Sequence, residues 1–295
     1  MEKSAPRIKR APVKWFGGKS LMKKKLLPLI PVTKIYVEAY GGAGNLLLAR
    51  ERSDIEVYND LNKKLVNLMR ALQDPDRALL MRERLLYTLY SKEEFRRAIE
   101  IMREKDPDPD DLAWAFYVGQ NQGFGGITPT TVGNWGRKFT GKMTSWLSAI
   151  DLIPEWHRRL LQVYIDSRDA VDLIKYWDSP GTTFYLDPPY VSGTRRDAKV
   201  YEIEASDDHH ARLVETILQC QGAVVLSGYA HEIYKPLEAA GWERREFHTT
   251  CAAAGRTRTS GLQGAGAAKA KQPRVEVVWR NPKAVALTGA QEEAA

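Results

Sequence analysis

The sequence predicts an α/β protein, a sheet whose strands alternate with helices, interrupted by a helical insertion. Residues 35–60 run in the order strand, glycine-rich loop, helix, strand and acid. This order is typical of the opening of a nucleotide-binding sheet. The strand pattern stops at Asp74 and Pro75 and resumes near residue 161. The residues between have helical periodicity and few strand signals, so we expect an insertion into one discontinuous domain.

The first part of the sheet is predicted from alternating apolar runs and loops. A strand over 35–39 enters the loop 40–44, and a helix is expected from about Asn45 to Arg52. A second strand over 55–58 ends at Asn59 and Asp60. The next helix, 61–73, has leucines at helical spacing on one face.

Residues 74–158 form the predicted insertion. Ser91 and Glu94 make a capping box that opens a helix to about Glu104. Another helix is expected from Leu112 to the glycine-rich stretch 120–126. The stretch 128–144 is polar, basic and aromatic, which predicts a surface loop.

The sheet resumes with strands expected over 161–165, 183–186 and 223–227. Helices are expected over 170–176, 206–220 and 231–240. Two further strands, 243–248 and 274–280, are expected to close the sheet as an antiparallel pair. Residues 1–73 and 159–283 together would then form the main domain. We expect residues 284–295 to be a disordered tail.

Composition limits the classes of protein. The chain has 295 residues and a net charge of +7, which permits a nucleic-acid partner without requiring one. No apolar run approaches the roughly 20 residues that a membrane helix needs. The basic start has no apolar segment typical of secretion signals, and two cysteines form neither a disulfide framework nor a zinc pattern. We therefore expect a cytoplasmic protein without a membrane partner or metal.

The most informative stretch is Asp187, Pro188, Pro189 and Tyr190, which follows an apolar strand. An acid at this place can accept a hydrogen bond from an amino group. The prolines form a stiff turn without N–H donors, so that its carbonyls remain free to accept. The tyrosine offers a flat face for stacking. Together they suit a planar amino-bearing ring, such as an adenine turned out of a duplex.

Two further patterns leave alternatives open. The loop 40–44 with Asp60 fits close approach to a nucleotide-like ligand, with the acid on ribose hydroxyls, but it also fits a tight turn with a helix N-cap at Asp60. Residues 15–20 are not a phosphate-binding loop, because position 13 is Val13 where that motif requires glycine. Trp15 and Lys19 either contact a ligand or form an ordinary turn.

Other candidate motifs are weaker. His231 has no partner histidine four residues later, so it does not belong to a zinc helix. His209 and His210 open a predicted helix and suit capping or surface roles. The basic stretches 137–142 and 256–274 are either solvated faces or contacts to nucleic acid.

Taken together, the motifs resemble those of the alpha-group, Dam-like DNA adenine-N6 methyltransferases, of the phage or prophage type. The likeness spans about residues 12–282. Five segments carry the likeness in the family's order: 14–19, 37–44, 58–62, 168–170 and the catalytic motif 187–190. The helical insertion lies between the third and the fourth of them.

The resemblance implies a Rossmann-like methyltransferase sheet with the insertion as the target-recognition domain. It implies S-adenosyl-L-methionine as methyl donor, double-stranded DNA as partner, and neither a metal nor an obligatory protein partner. The implied donor-binding residues are Trp15, Lys19, Glu38, Tyr40, Gly41, Gly42, Ala43, Gly44, Asp60, Asp169, Ala170 and Asp187. Within this set, the glycine loop would pass beneath the methionine part, Asp60 would bind the ribose and Asp169 the adenine amino group.

The implied reaction is direct transfer to the N6 amine of a flipped adenine. Asp187 and the Pro188 carbonyl would accept the two amine hydrogens, and Tyr190 would stack on the base. The resemblance places DNA contacts in the insertion, and we expect phosphate contacts from Arg137, Lys138 and Lys142. An enzyme of the same fold acting on RNA or another amino group, and an inactive DNA-binding relative, are the alternatives.

One departure from the family is visible in the glycine loop. Tyr40 and Gly41 stand where members often carry Phe and Ala or Val. We expect this difference to alter packing around the donor without abolishing its binding.

Overall fold

The computed structural model describes residues 8, 10–15, 17–123, 128–136, 142–191, 206–250 and 273–293. These residues contain one mixed sheet of seven strands. The strands are β1 (Ile35–Glu38), β2 (Ile55–Asn59), β3 (Val163–Asp166), β4 (Thr182–Leu186), β5 (Ala223–Gly228), β6 (Glu243–Thr250) and β7 (Pro273–Arg280). Each predicted strand is confirmed to within about two residues of its expected ends.

The strand order is β3-β2-β1-β4-β5-β7-β6. The first five strands are parallel, and β7 runs antiparallel between β5 and β6. The chain moves outward from β1 to β2 and β3, and then returns to place β4 on the other side of β1. In such sheets ligands bind where the order reverses, outside the carboxyl ends of the strands. The glycine loop after β1 and the 187–190 turn after β4 both lie at this point.

Helices cover both faces of the sheet. They are α1 (Lys23–Leu26), α2 (Lys63–Gln73), α3 (Pro75–Leu86), α4 (Lys92–Arg103), α5 (Pro109–Gln122), α6 (Lys142–Ile150), α7 (Ile153–Leu160), α8 (Ala170–Trp177), α9 (Asp207–Leu218), α10 (Lys235–Ala239) and α11 (Pro282–Glu293). None of these helices is long and apolar enough to cross a membrane.

Successive residues of the central strands point to two different cores. Tyr36 and Tyr58 belong to a hydrophobic cluster with the insertion helices, whereas Val37 and Val57 belong to a second cluster with α8, α9 and α10. This alternation follows from the two-residue period of a strand, and burial on both faces is usual for parallel strands. The predicted helical character of 75–122 is confirmed, and the Ser91 side chain accepts from Glu94 N as the capping box predicts. The division at residues 74 and 158 into two domains stays a prediction.

An ion cluster is buried beneath the sheet. Arg159 of α7 donates to both carboxylate oxygens of Glu56 on β2, and Arg50 lies 3.4 Å from the same carboxylate. Both partners of the Arg159–Glu56 pair are at most 1% exposed. Removing charges from water is costly unless they are paired and hydrogen-bonded. This pair joins α7 to the central sheet.

Two expectations about secondary structure are wrong. Residues 45–49 form turns where a helix was expected. The turns bury Leu46, Leu47 and Leu48, each at most 2% exposed. Successive residues of an α-helix are about 100° apart, so three consecutive side chains would spread over about 200° of its surface. The turns allow all three leucines to reach the core.

The expected disordered tail over 284–295 is a helix, α11, as far as residue 293. Asn281 accepts from Ala284 N at 2.9 Å and also pairs with the backbone of residues 222 and 224. Gln291 exchanges hydrogen bonds with the backbone of Val32. These tertiary contacts order a segment whose own sequence has little amphipathic pattern.

Candidate active site

A cleft of about 340 Å³ opens at the carboxyl ends of β1, β2 and β4. The predicted site residues that line it are Trp15, Lys19, Glu38, Tyr40, Gly41, Gly42, Ala43, Asp60, Ala170, Asp187 and Pro189. Gly44, Asp169, Pro188 and Tyr190 are sequence neighbours of lining residues. Segments as far apart in the sequence as Trp15 and Pro189 therefore meet around a single cavity.

The glycine loop needs glycine for steric reasons. A Cβ on Gly41 would lie 2.3 Å from the Tyr58 ring, and one on Gly42 would lie 2.8 Å from Trp15. Gly42 also has a φ of +49°, in the left-handed region that side chains rarely adopt. The Tyr58 hydroxyl donates to the Gly42 carbonyl at 2.6 Å. Glycine at position 41, where the family often has Ala or Val, thus allows the Tyr58 ring to lie against the loop backbone.

Asp60 ties the glycine loop to the end of β2. Its carboxylate accepts from Gly42 N at 2.9 Å and from Asn62 N at 2.8 Å. Burial raises its pKa, and these two hydrogen bonds oppose the rise. The N-cap of α2 is Asn62, which accepts from Leu65 N, so the helix-cap interpretation of Asp60 is wrong. Each carboxylate oxygen can accept a further hydrogen bond, and Asp60 lines the cleft.

Glu38 is a buried acid at the end of β1. It is 2% exposed, and the Tyr36 hydroxyl donates to it at 2.8 Å. Burial raises its pKa to about 7, because removal from water disfavours the charged carboxylate. A cationic ligand group in the cleft would favour its ionised form.

Asp187 follows the fully buried strand β4 and reaches the cleft. Its Oδ1 atom accepts from Lys19 Nζ at 2.6 Å and from Ser227 Oγ at 3.0 Å. The side chain is 18% exposed, whereas that of Lys19 is 5% exposed. The carboxylate is therefore held from one side and accessible from the other.

Lys19 connects Asp187 to two further groups. Its ammonium lies 3.0 Å from the Tyr190 hydroxyl and 3.1 Å from Glu276. Burial by itself would lower the pKa of Lys19. The carboxylates of Asp187 and Glu276, together with the Tyr190 hydroxyl, outweigh that effect and hold the pKa of Lys19 well above its usual value. Lys19 is thus a permanent cation among acids.

Tyr190 is buried and its ring is fixed. Its hydroxyl donates to the Glu276 carboxylate at 3.1 Å, and its ring stacks on Tyr229 with centroids 4.1 Å apart. Tyr229 therefore covers one face of the Tyr190 ring.

Helix α9 contributes a wall that the motifs did not predict. Its N-cap, Ser206, and three of its residues, Asp208, His209 and Arg212, line the cleft. The Tyr40 hydroxyl, which a Phe would lack, lies 2.6 Å from His209 Nε2. Asp169 caps α8 by accepting from Val171 N at 2.9 Å, and it lies 3.7 Å from His209. His210 is fully buried, so a surface role for it is wrong.

Several site residues were missed by sequence reasoning, among them Ser227, Tyr229 and Glu276. An acid in the otherwise apolar stretch 275–279 was a usable signal for Glu276. Nothing local distinguishes Ser227 or Tyr229, whose positions follow from sheet pairing and from the path of the turn.

The expected DNA contacts lie mostly beyond what the structure covers. Arg137 and Lys138 are outside the described residues, as is most of the stretch 256–274. Lys142 is the first residue of α6. The described end of α5 is tied to the segment before Trp15: Asn121 Nδ2 donates to the Pro12 carbonyl, and Lys14 Nζ donates to the Asn121 carbonyl. This links the insertion to the cleft.

The sheet order, the glycine loop and the cleft are those of the Rossmann-like methyltransferase class. Residues 15–242 match the family model of the D12 class N6 adenine-specific DNA methyltransferases, and the chain belongs to that family. A comparison with curated proteins gave no match. The chain is therefore an enzyme that methylates adenine in DNA, as the motifs predict. The phage or prophage type stays a prediction.

Proposed function

We propose that the cleft binds S-adenosyl-L-methionine and that the chain transfers its methyl group to the N6 amine of an adenine flipped out of double-stranded DNA. The observation that carries this assignment is the position of Asp187. Asp187 lines the same cavity as the glycine loop and Asp60. A group that accepts from an amine thus faces a pocket suited to a nucleoside.

The residues present fit this donor. The loop from Gly41 to Gly44 brings backbone close to the cavity, so it can pass beneath the methionine part of the donor. The Asp60 carboxylate can accept from ribose hydroxyls, and the Glu38 carboxylate can pair with the ammonium. Asp169 and Ala170 are assigned to the adenine end. The chemistry that the donor supplies when bound is a methyl group on a good leaving group.

The protein's part in transfer is alignment. The lone pair of an exocyclic amine is delocalised into the ring, so the nitrogen is a weak nucleophile. Within the described residues, both hydrogen bonds to Asp187 go to Oδ1, which leaves Oδ2 to accept from the amine. The Pro188 carbonyl would accept the second hydrogen. Holding both hydrogens favours a tetrahedral nitrogen directed at the methyl carbon.

The Tyr190 ring would stack on the flipped base through the face that Tyr229 does not cover. Transfer forms the N–C bond and breaks the S–C bond, whose electron pair stays on sulfur. The nitrogen is cationic until it loses a proton to Asp187, from which solvent removes it.

We assign sequence recognition to the insertion, residues 74–158, with phosphate contacts from Arg137, Lys138 and Lys142. The net charge of +7 supports an anionic partner. The bonds from Lys14 and Asn121 support this assignment, because they would couple the end of α5 to the segment beside Trp15. We place the enzyme in the cytoplasm of a bacterial or phage-infected cell, where such DNA is found.

The test is incorporation of labelled methyl groups from the donor into unmethylated plasmid, followed by mass spectrometry of the nucleosides. We expect N6-methyladenine. The same assay with total RNA as substrate tests the alternative. Label in RNA or in cytosine, with none in DNA adenine, would overturn the assignment.

A further inference from the structure

Glu276 is an acid that neither the motifs nor the family match explains. It lies in β7 beyond residue 242, where the family match ends. It is 4% exposed, in a strand whose next three residues, Val277, Val278 and Trp279, are fully buried. A buried carboxylate destabilises a fold unless it is paired. Its partners in the described part of the chain are Lys19 and Tyr190.

The antiparallel direction of β7 places Glu276 at the catalytic end of the sheet. Ser227 pairs with Val278, so Glu276 extends from the same face beyond the end of β5. Tyr185 lies on this face too, because it pairs with Val225, two residues before Ser227. The Tyr185 hydroxyl bonds to Ser227, and Ser227 bonds to Asp187. Glu276 therefore faces the same polar network as the catalytic acid.

The contacts of Glu276 have two consequences. Its carboxylate accepts from the Tyr190 hydroxyl through both oxygens, at 3.1 and 3.2 Å, which fixes the ring. It also lies 3.1 Å from Lys19 Nζ, which is 2.6 Å from Asp187. Lys19 is thus shared between two acids. Without Glu276, the whole ammonium charge would act on Asp187 and weaken it as an acceptor.

The net charge of the cluster around Asp187 also favours methyl transfer. Lys19, Asp187 and Glu276 together carry one net negative charge when all are ionised. During transfer the positive charge moves from sulfur to the amine nitrogen, toward this cluster. Fixed charge placed where charge develops stabilises a transition state more than the ground state.

We propose that Glu276 is a positioning residue for methyl transfer, which holds Lys19 and Tyr190 and keeps the cluster around Asp187 anionic. The inference rests on the proposed roles of Asp187 and Tyr190. It does not require Glu276 to touch donor or base.

The experiment compares Glu276→Gln, of nearly equal size, with the wild type in single-turnover transfer at saturating donor and DNA. We expect a rate about 10- to 100-fold lower, as for a misplaced catalytic group. Donor affinity should stay within about twofold, because Glu276 is not part of the donor cleft. Glu276→Asp keeps the charge and should recover part of the rate. Glu243→Gln, on the adjacent strand and paired with Arg280, is the matched control and should leave the rate unchanged.

A double-mutant cycle separates positioning from a general packing role. In a Lys19→Met background, Glu276→Gln should lower the rate by a smaller factor than in the wild type, because one of the two residues through which Glu276 acts is gone. A folded Glu276→Gln variant with the wild-type rate would overturn the inference. So would a rate reduced by the same factor in both backgrounds. If Glu276→Gln does not fold, a Glu276→Asp variant as fast as wild type would overturn it equally. The proposed function fails separately, if the wild type methylates no DNA adenine.

Discussion

Lys19 Nζ lies 2.6 Å from Asp187 Oδ1, although the two residues are 168 positions apart. Lys19 belongs to the N-terminal motif and Asp187 to the turn after β4. Their contact makes these two motifs one site at the point where the strand order reverses. Ser227 donates to the same oxygen, so the two hydrogen bonds together orient the Asp187 carboxylate.

Replacing Asp187 by Ala should reduce methyl transfer on the order of 100- to 1,000-fold or more, because it removes a positioned acceptor. Incorporation of labelled methyl groups into plasmid DNA measures the loss. Asp172→Ala, an exposed acid on α8, is the control. An Asp187→Ala enzyme with near wild-type turnover would disprove the assigned role.

Replacing Asp60 by Ala should weaken binding of the donor or its demethylated product by roughly 1.5–3 kcal/mol, the range for hydrogen bonds to a charged group. The variant loses the acceptor that we propose for the ribose, and it also frees Gly42 N and Asn62 N. Calorimetric titration measures it. Asp60→Asn, which keeps the shape without the charge, should lose less. Unchanged affinity in Asp60→Ala would reduce the residue to a loop support.

Glu38 should make stability depend on pH. Its pKa is about 7 in the folded chain, against an ordinary 4.5. The folded state therefore binds more protons between these values, and stability falls as pH rises from 4.5 to 7. The cost of the ionised form above pH 7 is roughly 3 kcal/mol.

Glu38→Gln removes this cost while Tyr36 keeps its acceptor. Urea unfolding at pH 5 and pH 8 measures the difference from wild type. The advantage of the variant should be larger at pH 8. An advantage that does not change with pH would contradict the raised pKa.

Arg159→Leu should destabilise the fold by about 3 kcal/mol or more, because it leaves the fully buried Glu56 with weaker partners. The measurement is denaturant unfolding at neutral pH. Arg158→Leu, the exposed neighbour on the same helix, should change stability by less than about 0.5 kcal/mol. Equal effects of the two variants would show that the buried pair contributes little.

Replacing Arg137, Lys138 or Lys142 by Ala should each flatten the salt dependence of DNA binding by about one unit of slope, because each phosphate contact releases counterions. Duplex affinity across a salt series is the measurement. The preferred sequence should persist, since phosphates position the protein without reading bases. Wild-type slopes in all three variants would move the DNA surface toward residues 256–274.

The sequence alone determined the class of fold and most of the cleft. Strands and loops have local signatures, and Gly41, Asp60 and Asp187 each follow a predicted strand. The carboxyl ends of parallel strands meet at one edge of a sheet, so these residues were expected to lie together. The sequence also predicted the helices between β2 and β3, because helical periodicity is a local property.

Only the tertiary structure decided which distant groups complete the site. Glu276 reaches Lys19 because β7 runs antiparallel beside β5, and no pattern within β7 encodes that neighbour. Tertiary contacts also overrode local expectations: three consecutive leucines at 46–48 all reach the core through turns, and Asn281 and Gln291 order α11. Pairing across the chain depends on the packed sheet, whereas propensity depends only on neighbours in sequence.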